Sequence, residues 1–311
     1  MVRSSVAPHS RSRRGTPTFA RLRRMMLALL ALAFVPCAPL QAEAIPCPNG
    51  PVVLVHGLEQ GPEIFATLID GLVRRGIERR CVRAIRYSSG NLPARLAAER
   101  ELAPFVDQVI ADVMRSLGNG QPAPQQVRIN LVGHSMGALS TRWYATRMQP
   151  ERVRTWISTS GANHGTNWQC AQSPAGGHGE MCPAFARSQS QSAVQHGLNG
   201  GPGVDVDETP YGLGQDSAGV VSLAPTAARS ILYLSVQAAA DRFIFPSASL
   251  SIDGAGGISL PGLERAGVRE ISPGNFQIAA ASGHDELLET EALIEFVFRA
   301  VTSQSPTART D

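Results

Sequence analysis

Residues 127–137 read VRINLVGHSMG, and this stretch decides the fold. It begins as an apolar run typical of a buried strand and ends in the pattern G-x-S-x-G, where a helical pattern starts. The glycines at its two ends, Gly133 and Gly137, let strand and helix approach more closely than side chains would permit. The stretch therefore predicts a sharp turn that holds the Ser135 hydroxyl above the carboxyl end of a sheet.

The first 44 residues have the pattern of an export signal. Seven arginines precede an apolar run at Met25–Val35, and Ala42-Glu43-Ala44 fits the small-x-small rule for cleavage. The run is too short for a finished transmembrane helix, and an uncleaved membrane anchor is the alternative reading. We therefore expect residues 1–44 to be a signal peptide and the protein to be secreted or periplasmic.

The chain after the signal, residues 45–311, is long enough for one large domain with a full core. Removal of residues 1–44 takes away seven arginines and one glutamate, which changes the formal net charge from +3 to −3. No dense basic stripe remains, so the composition argues against nucleic-acid binding. We expect the domain to span residues 45–301 and residues 302–311 to be a disordered tail.

Strand and helix patterns alternate on both sides of the central stretch. Strands are predicted at 51–55, 82–87, 127–132, 153–158, 230–236 and 276–280, and helices at 62–74, 96–117, 136–148 and 286–301. Pro104 is expected to kink or divide the second helix. This alternation predicts an α/β fold with a mostly parallel central sheet and helices on both faces. Residues 165–227 interrupt it with an irregular insertion of the kind that forms lids or binding loops.

A serine hydroxyl needs a base to take its proton and an acid to orient that base. On a sheet of this kind the partners follow in the order serine, acid, histidine, each after a different strand. His284 fits the base because it follows the last predicted strand through a short turn. Asp241 fits the acid because it follows the fifth predicted strand, and Asp216 and Asp253 are the alternatives.

The remaining histidines and Asp285 receive other roles. Asp285 is adjacent to His284 and would struggle to reach the far nitrogen of that ring, so we exclude it as the orienting acid. His178 and His196 lie in the insertion, where a solvated histidine is the default. His56 lies upstream of the serine, where a structural role in its loop is favoured over a catalytic one.

An oxyanion hole would need two backbone N–H groups directed at the substrate oxygen that becomes negative. Met136 follows the serine directly and is predicted to supply one of them. Leu58 follows a His-Gly turn after the first predicted strand and is predicted to supply the other. This chemistry implies no organic cofactor.

Four cysteines lie outside the predicted signal, and an even number in an exported protein favours disulfides. Cys47 and Cys81 precede two strands that, if neighbours, place both cysteines at one edge of the sheet, where they are able to pair. Cys170 and Cys182 lie in one glycine-rich loop and would form a local clasp.

A metal site is the alternative use of the second cysteine pair. Together with His164 and His178 these cysteines supply the ligand types of zinc, but their spacings match no compact zinc motif. Oxygen ligands from loops leave little trace in a sequence, so calcium stays open. We predict two disulfides and no bound metal.

Four short motifs stand at the ends of the predicted strands: PVVLVHG (51–57), GHSMG (133–137), GANHGT (161–166) and ASGHD (281–285). Together they resemble the secreted bacterial lipases and esterases of the α/β-hydrolase superfamily, especially the class 2 triacylglycerol lipases. The resemblance covers most of residues 47–301 and is loose over 169–227. It implies an α/β-hydrolase fold with Ser135 as nucleophile, Asp241 as acid, His284 as base, and the N–H groups of Leu58 and Met136 as the oxyanion hole. Many lipases carry a second glycine after the motif, where this chain has Ala138.

These observations lead us to expect an exported serine carboxylic-ester hydrolase, a lipase or esterase that cleaves acyl esters through an acyl-enzyme. We expect a monomer that contacts a lipid interface transiently and has no nucleic-acid partner. The same three residues would also serve acyl transfer, polyester depolymerisation or amide hydrolysis, because a triad does not specify the acceptor. A non-catalytic binding protein on the same fold is the third hypothesis, and an intact triad argues against it. The sequence leaves the acyl chain length open.

Overall fold

A seven-stranded β-sheet forms the centre of the protein in a computed structural model. The structure describes residues 47–116, 127–168, 170, 175–182, 193–199, 228, 230–252, 260–281 and 283–303, all within one compact unit, Ile45–Asp311. The strands are β1 (Val52–Val55), β2 (Val82–Ala84), β3 (Ile129–His134), β4 (Val153–Thr159), β5 (Leu232–Ala238), β6 (Val268–Ser272) and β7 (Asn275–Ile278). The predicted signal, much of the predicted insertion and residues 304–311 lie outside the described residues.

The strands are arranged in the order β2-β1-β3-β4-β5-β7-β6. All neighbouring pairs are parallel except β6 with β7, which are antiparallel. The mostly parallel sheet predicted from the sequence is therefore confirmed. Because parallel strands share their direction, the chain leaves β1, β3, β5 and β7 at the same edge of the sheet.

The sequence of β1, VVLV, shows why these strands lack an alternation of apolar and polar residues. Val52 and Leu54 pack into one hydrophobic cluster, and Val53 and Val55 pack into another on the opposite side. All four side chains are buried. A strand covered on both faces must be apolar throughout, which is the pattern that a helix-covered parallel sheet requires.

Helices cover both faces of the sheet, as predicted. They are α1 (Ala66–Arg74), α2 (Ala94–Ala97), α3 (Ala103–Ser116), α4 (Met136–Trp143), α5 (Gly176–Glu180), α6 (Ala193–Asn199) and α7 (Glu291–Thr302). Residues of α1 and α7 share a core cluster on one face, and residues of α3 belong to the cluster on the other. A π-helical segment, Ala98–Leu102, joins α2 to α3, so the long predicted helix is divided just before Pro104, the second residue of α3.

Three elements differ from the sequence-based expectation. The interval predicted to be irregular contains α5 and α6 in its described parts. The sequence does not predict strand β6, because four of its five residues are exposed at the sheet edge and it lacks an apolar pattern. The closing helix is split into a 3-10 turn, Glu286–Glu289, and α7, whose start is capped by the Thr290 hydroxyl oxygen, which accepts a hydrogen bond from the N–H of Leu293.

Both predicted disulfides are present. Cys47 is bonded to Cys81, which ties the approach to β1 to the approach to β2, and Cys170 is bonded to Cys182. Since both sulfur atoms of the second pair are used, the alternative zinc site with these thiolates is wrong. In the described ranges we find no helix with the length and hydropathy needed to cross a membrane.

Candidate active site

The turn between β3 and α4 holds Ser135 in a backbone conformation that residues other than glycine rarely adopt. Its backbone angles are φ 55° and ψ −124°. A Cβ on Gly133 would lie 2.5 Å from the carbonyl oxygen of Gly137, and a Cβ on Gly137 would lie 2.6 Å from that of His56. These distances are too short for real contacts, so the close approach requires glycine at both positions, as the sequence pattern predicts.

Asp241 and His284 lie side by side at the same edge of the sheet. Asp241 follows β5 and His284 follows β7. The Nδ1 atom of His284 lies 2.7 Å from the Oδ2 atom of Asp241, and the side chains of His284 and Asp241 are only 6% and 1% exposed. A buried carboxylate at Nδ1 fixes the tautomer that leaves Nε2 free to accept a proton.

The other oxygen of Asp241 is also occupied. Its Oδ1 atom accepts hydrogen bonds from the N–H groups of Phe243 at 2.9 Å and Ile244 at 3.0 Å. Burial acts to raise the pKa of Asp241, but the hydrogen bond and charge of His284, together with these two N–H groups, outweigh it. The pKa of Asp241 therefore lies below its ordinary value, and the group is an anion at neutral pH.

Ser135 and His284 line the same cavity, which has a volume of about 250 Å³. Within the described part of the chain, no hydrogen bond joins the serine hydroxyl to the ring of His284. A hydrogen bond of this kind is often long in a ligand-free site and shortens when substrate binds. The shared cavity is thus the geometric link between the serine and the Asp241–His284 pair.

The loop after β1 lies directly against the serine. A Cβ on Gly57 would be 2.7 Å from the Cβ of Ser135, so the backbone of this loop lies directly against that residue. Leu58, the next residue, lines the cavity. Met136 is the first residue of α4, where N–H groups have no partner within the helix. The two residues predicted to supply an oxyanion hole are therefore close to Ser135, Leu58 on the cavity wall and Met136 next in the chain, and the role of their N–H groups stays a prediction.

Gly177 of α5 is a further residue that packs on this region. A Cβ there would lie 2.5 Å from the Sδ atom of Met136 and 2.9 Å from a methyl carbon of Leu58. Helix α5 is rich in glycine, which is a poor helix former, so packing contacts rather than helix propensity stabilise it. The sequence offers no signal for this contact, since α5 lies over 30 residues from either partner.

His56 has the structural role that its position predicts. Its Nδ1 atom donates to the carbonyl oxygen of Gly57 at 2.9 Å, and its Nε2 atom accepts from the N–H of Tyr87 at 3.3 Å. Burial holds the pKa of His56 below its ordinary value, which favours the neutral ring that these two bonds require. Asp216 and Asp253, the alternative acids, lie outside the described residues.

Asp285 does not bind the ring of its neighbour His284, in agreement with its exclusion as the orienting acid. It contacts the ring of His134 instead, with 2.9 Å between Asp285 Oδ1 and His134 Nε2. These three side chains are the metal-ligand cluster found among the described residues, with potential ligand atoms within 4.8 Å of one another. Protein oxygens lie within hydrogen-bond distance of both ring nitrogens of His134, and Oδ1 of Asp285 and Nδ1 of His284 each have a protein partner.

Nucleophile, acid and base candidates therefore follow β3, β5 and β7 of one mostly parallel sheet, and the serine lies on a strand-turn-helix elbow. The chain has the α/β-hydrolase fold. The fold expected from the sequence motifs is therefore confirmed, whereas the likeness to class 2 lipases stays a prediction.

Residues 51–197 match the model of the family described as palmitoyl protein thioesterase. The match covers just under half of the chain. It runs from β1 into α6 and contains Leu58, Ser135 and Met136, and it ends before Asp241 and His284. No curated protein matches the sequence of the chain.

Solved structures that resemble the chain include several hydrolases. A pyrethroid hydrolase from Sphingobium faniae JZ-2 is 16% identical, covers 83% of this chain and 99% of its own, and has a TM-score of 0.42. The Bacillus licheniformis lipase BlEst2 in its mature form is 10% identical over 82% of this chain and 92% of its own, with a TM-score of 0.45. The Arabidopsis methylesterase MES16 is 14% identical over 81% and 98%, with a TM-score of 0.41. At these scores they carry no argument about substrate.

Proposed function

We propose that the protein is a serine hydrolase that cleaves acyl esters through an acyl-enzyme. The observation that carries this proposal is the 2.7 Å pairing of the buried Asp241 carboxylate with His284, whose ring lines the same cavity as Ser135. A carboxylate, an imidazole and a strained serine at three strand ends favour covalent acyl chemistry over a binding role.

In the first half of the reaction, the Oγ atom of Ser135 attacks the ester carbonyl carbon while its proton passes to Nε2 of His284. Asp241 stabilises the imidazolium that forms. The N–H groups of Leu58 and Met136 bind the oxyanion, and the tetrahedral intermediate collapses as His284 gives its proton to the leaving alcohol. An acyl group remains on Ser135.

Water releases the acyl group in the second half. His284 removes a proton from water, the resulting hydroxide attacks the acyl carbonyl, and the same two N–H groups bind the second oxyanion. His284 then returns the proton to the Ser135 oxygen and the carboxylic acid leaves. Protons and bonds balance over the cycle without a cofactor.

The size and lining of the cavity support a compact apolar acyl group. Its walls include Leu58, Met181, Ile244, Trp168 and Phe243. A volume of about 250 Å³ lies below the range of about 300–1,000 Å³ that is usual for drug-sized ligands. We therefore place the preferred acyl groups among short chains.

We expect kcat/KM for p-nitrophenyl esters to be highest at acyl chains of about four carbons and to fall by about tenfold or more at decanoate, because added methylenes find no apolar wall. The measurement is a chain-length series from acetate to decanoate, in solution and with an emulsified interface. Met181→Ala should move the optimum to longer chains, since the Met181 side chain lines the cavity.

The two parts of this experiment answer different questions. Failure to hydrolyse any ester of the series would contradict the proposed function. Hydrolysis with a flat profile that Met181→Ala leaves unchanged would contradict only the assignment of the acyl site.

A thioester is the second candidate substrate, and the family match over residues 51–197 is the observation that favours it. The acylation of Ser135 would follow the same steps, and only the leaving group would differ, a thiol in place of an alcohol. Phenyl butyrate and S-phenyl thiobutyrate, compared in the same series, distinguish the two leaving groups: a higher kcat/KM on the oxygen ester favours the first proposal.

Export, a monomeric state and contact with a lipid interface complete the proposal. The two disulfides support an oxidising compartment. Phe243 on the cavity wall and the nearby Phe245 are 43% and 41% exposed, which supports transient contact of this rim with an apolar surface.

A further inference from the structure

One carboxylate oxygen outside the Asp241–His284 pair connects three parts of the site. The Oδ1 atom of Asp285 accepts a hydrogen bond from Gln60 Nε2 at 2.8 Å and lies 2.9 Å from His134 Nε2. Gln60 belongs to the loop after β1 and His134 to the end of β3. Asp285 thereby bridges two segments that the sequence separates by more than 70 residues.

The contact with Gln60 continues to the predicted oxyanion loop. The Oε1 atom of Gln60 accepts the N–H of Gly57 at 3.0 Å. Gly57 immediately precedes Leu58 and lies against Ser135, so its orientation sets the direction of the following peptide group. The side-chain amide of Gln60 thus binds the loop through its oxygen and the Asp285 carboxylate through its nitrogen.

The contact with His134 continues to the nucleophile and the base. His134 immediately precedes Ser135, is fully buried, and has its Nδ1 atom 3.0 Å from the carbonyl oxygen of Thr159. The centroid of its ring lies 4.7 Å from that of His284. The ring therefore forms a wall behind the proposed base, and Asp285 is one of the two groups that fix its plane.

The charge of Asp285 suits this position. The hydrogen bond from His134 is the main cause that lowers the pKa of Asp285 to about 2, so the carboxylate is ionised over the neutral range. An ionised carboxylate accepts stronger hydrogen bonds than a neutral one. Burial holds the pKa of His134 below its ordinary value, although Asp285 acts in the opposite direction. Thr159 and Asp285 both face the ring with acceptor oxygens, so a neutral ring donates to one of them and only contacts the other.

We propose that Asp285 is a positioning residue that holds the oxyanion loop, through Gln60, and the nucleophile elbow, through His134, in the geometry needed for acyl transfer. This inference rests on the proposed function of Ser135. Asp285 lines the cavity, but the orienting nitrogen of His284 is bonded to Asp241 and not to Asp285. Through Gln60 and His134, Asp285 fixes the position of the Leu58 N–H and of the Ser135 turn. These two groups stabilise the transition state more than they stabilise the bound substrate.

The test compares Asp285→Ala, Asp285→Asn, Gln60→Ala and the double variant Gln60→Ala/Asp285→Ala, with p-nitrophenyl butyrate as substrate. We expect kcat of Asp285→Ala to fall roughly 10- to 100-fold and that of Gln60→Ala roughly 10-fold, since small misplacements of reacting groups have effects of this size. Both residues line the cavity, so KM can change as well, but it should change less than kcat because the lost alignment acts mainly on the transition state.

Two comparisons separate positioning from general destabilisation. Asp285→Asn retains an oxygen that can accept from Gln60, so it should recover part of the kcat lost in Asp285→Ala. The double variant should be no slower than Asp285→Ala by more than about twofold, because residues in one network are not additive. Glu286→Ala removes the adjacent, exposed carboxylate and should leave kcat unchanged.

The outcomes decide between the two proposals. Activity that persists in Ser135→Ala would contradict the proposed function itself. An inactive Ser135→Ala beside wild-type kcat in the Asp285 and Gln60 variants, or losses that multiply in the double variant, would overturn the positioning role alone. If Asp285→Ala lacks a cooperative thermal transition, Gln60→Ala and Asp285→Asn carry the same test.

Discussion

Ser135→Ala is expected to reduce kcat for p-nitrophenyl butyrate by at least about 10⁴-fold, because no acyl-enzyme can form without the hydroxyl oxygen. The fold should persist. Ser135 is 8% exposed, and alanine removes one oxygen without adding volume beside Gly57. The measurement is the hydrolysis rate together with the thermal transition of both proteins.

Ser140→Ala is the matched control for this substitution. Ser140 lies in α4 one turn beyond the nucleophile, is fully buried, and is bonded to the Tyr87 hydroxyl at 3.1 Å rather than facing the cavity. Its hydroxyl also donates to the carbonyl oxygen of Gly137 at 3.1 Å, so alanine removes two internal hydrogen bonds but no group that lines the cavity, and kcat should stay within about threefold of wild type. Equal losses in Ser135→Ala and Ser140→Ala would remove the distinction on which the proposed function depends.

Asp241→Asn is expected to reduce kcat about 10³- to 10⁴-fold while KM changes little. The Oδ1 atom accepts two backbone N–H groups, so the oxygen of asparagine would take that place and its NH₂ group would face Nδ1 of His284. The ring would then carry its proton on Nε2, where it cannot accept one from Ser135. The substitution tests the tautomer without changing the shape of the site.

Arg242→Ala provides the contrasting variant. If Asp241 were a surface residue paired with its neighbour Arg242, both substitutions would have small and similar effects. In the structure Arg242 is exposed, whereas the Asp241 side chain is only 1% exposed and is paired with His284. Wild-type kcat in Arg242→Ala with a large loss in Asp241→Asn is expected, and retained activity in Asp241→Asn would contradict the assignment of the acid.

The sequence predicts the features of this protein that depend on local patterns. Continuous apolar runs such as β1 predict buried parallel strands, and the two glycines around Ser135 predict the close strand-helix turn. The Asp241 and His284 positions could be proposed because a known order of strands places them at one edge. Each of these inferences needs only the residues within a segment and the direction of the sheet.

The features that the sequence does not predict depend on contacts between distant segments. Gln60, His134 and Asp285 carry no pattern of their own, and their bonds appear only when the loop after β1 meets the turn after β7. Helix α5 contradicts helix propensity and exists where Gly177 packs on Met136 and Leu58.

The central claim is that Ser135 is an activated nucleophile, and covalent labelling tests it most directly. A fluorophosphonate reacts with an activated serine and leaves a stable phosphonyl group on the oxygen, so peptide mass spectrometry locates the reactive residue. We expect a single label on Ser135, formed more slowly in Asp241→Asn and slowed by competing p-nitrophenyl butyrate. A label on another residue, or no label on folded wild-type protein, would contradict the account.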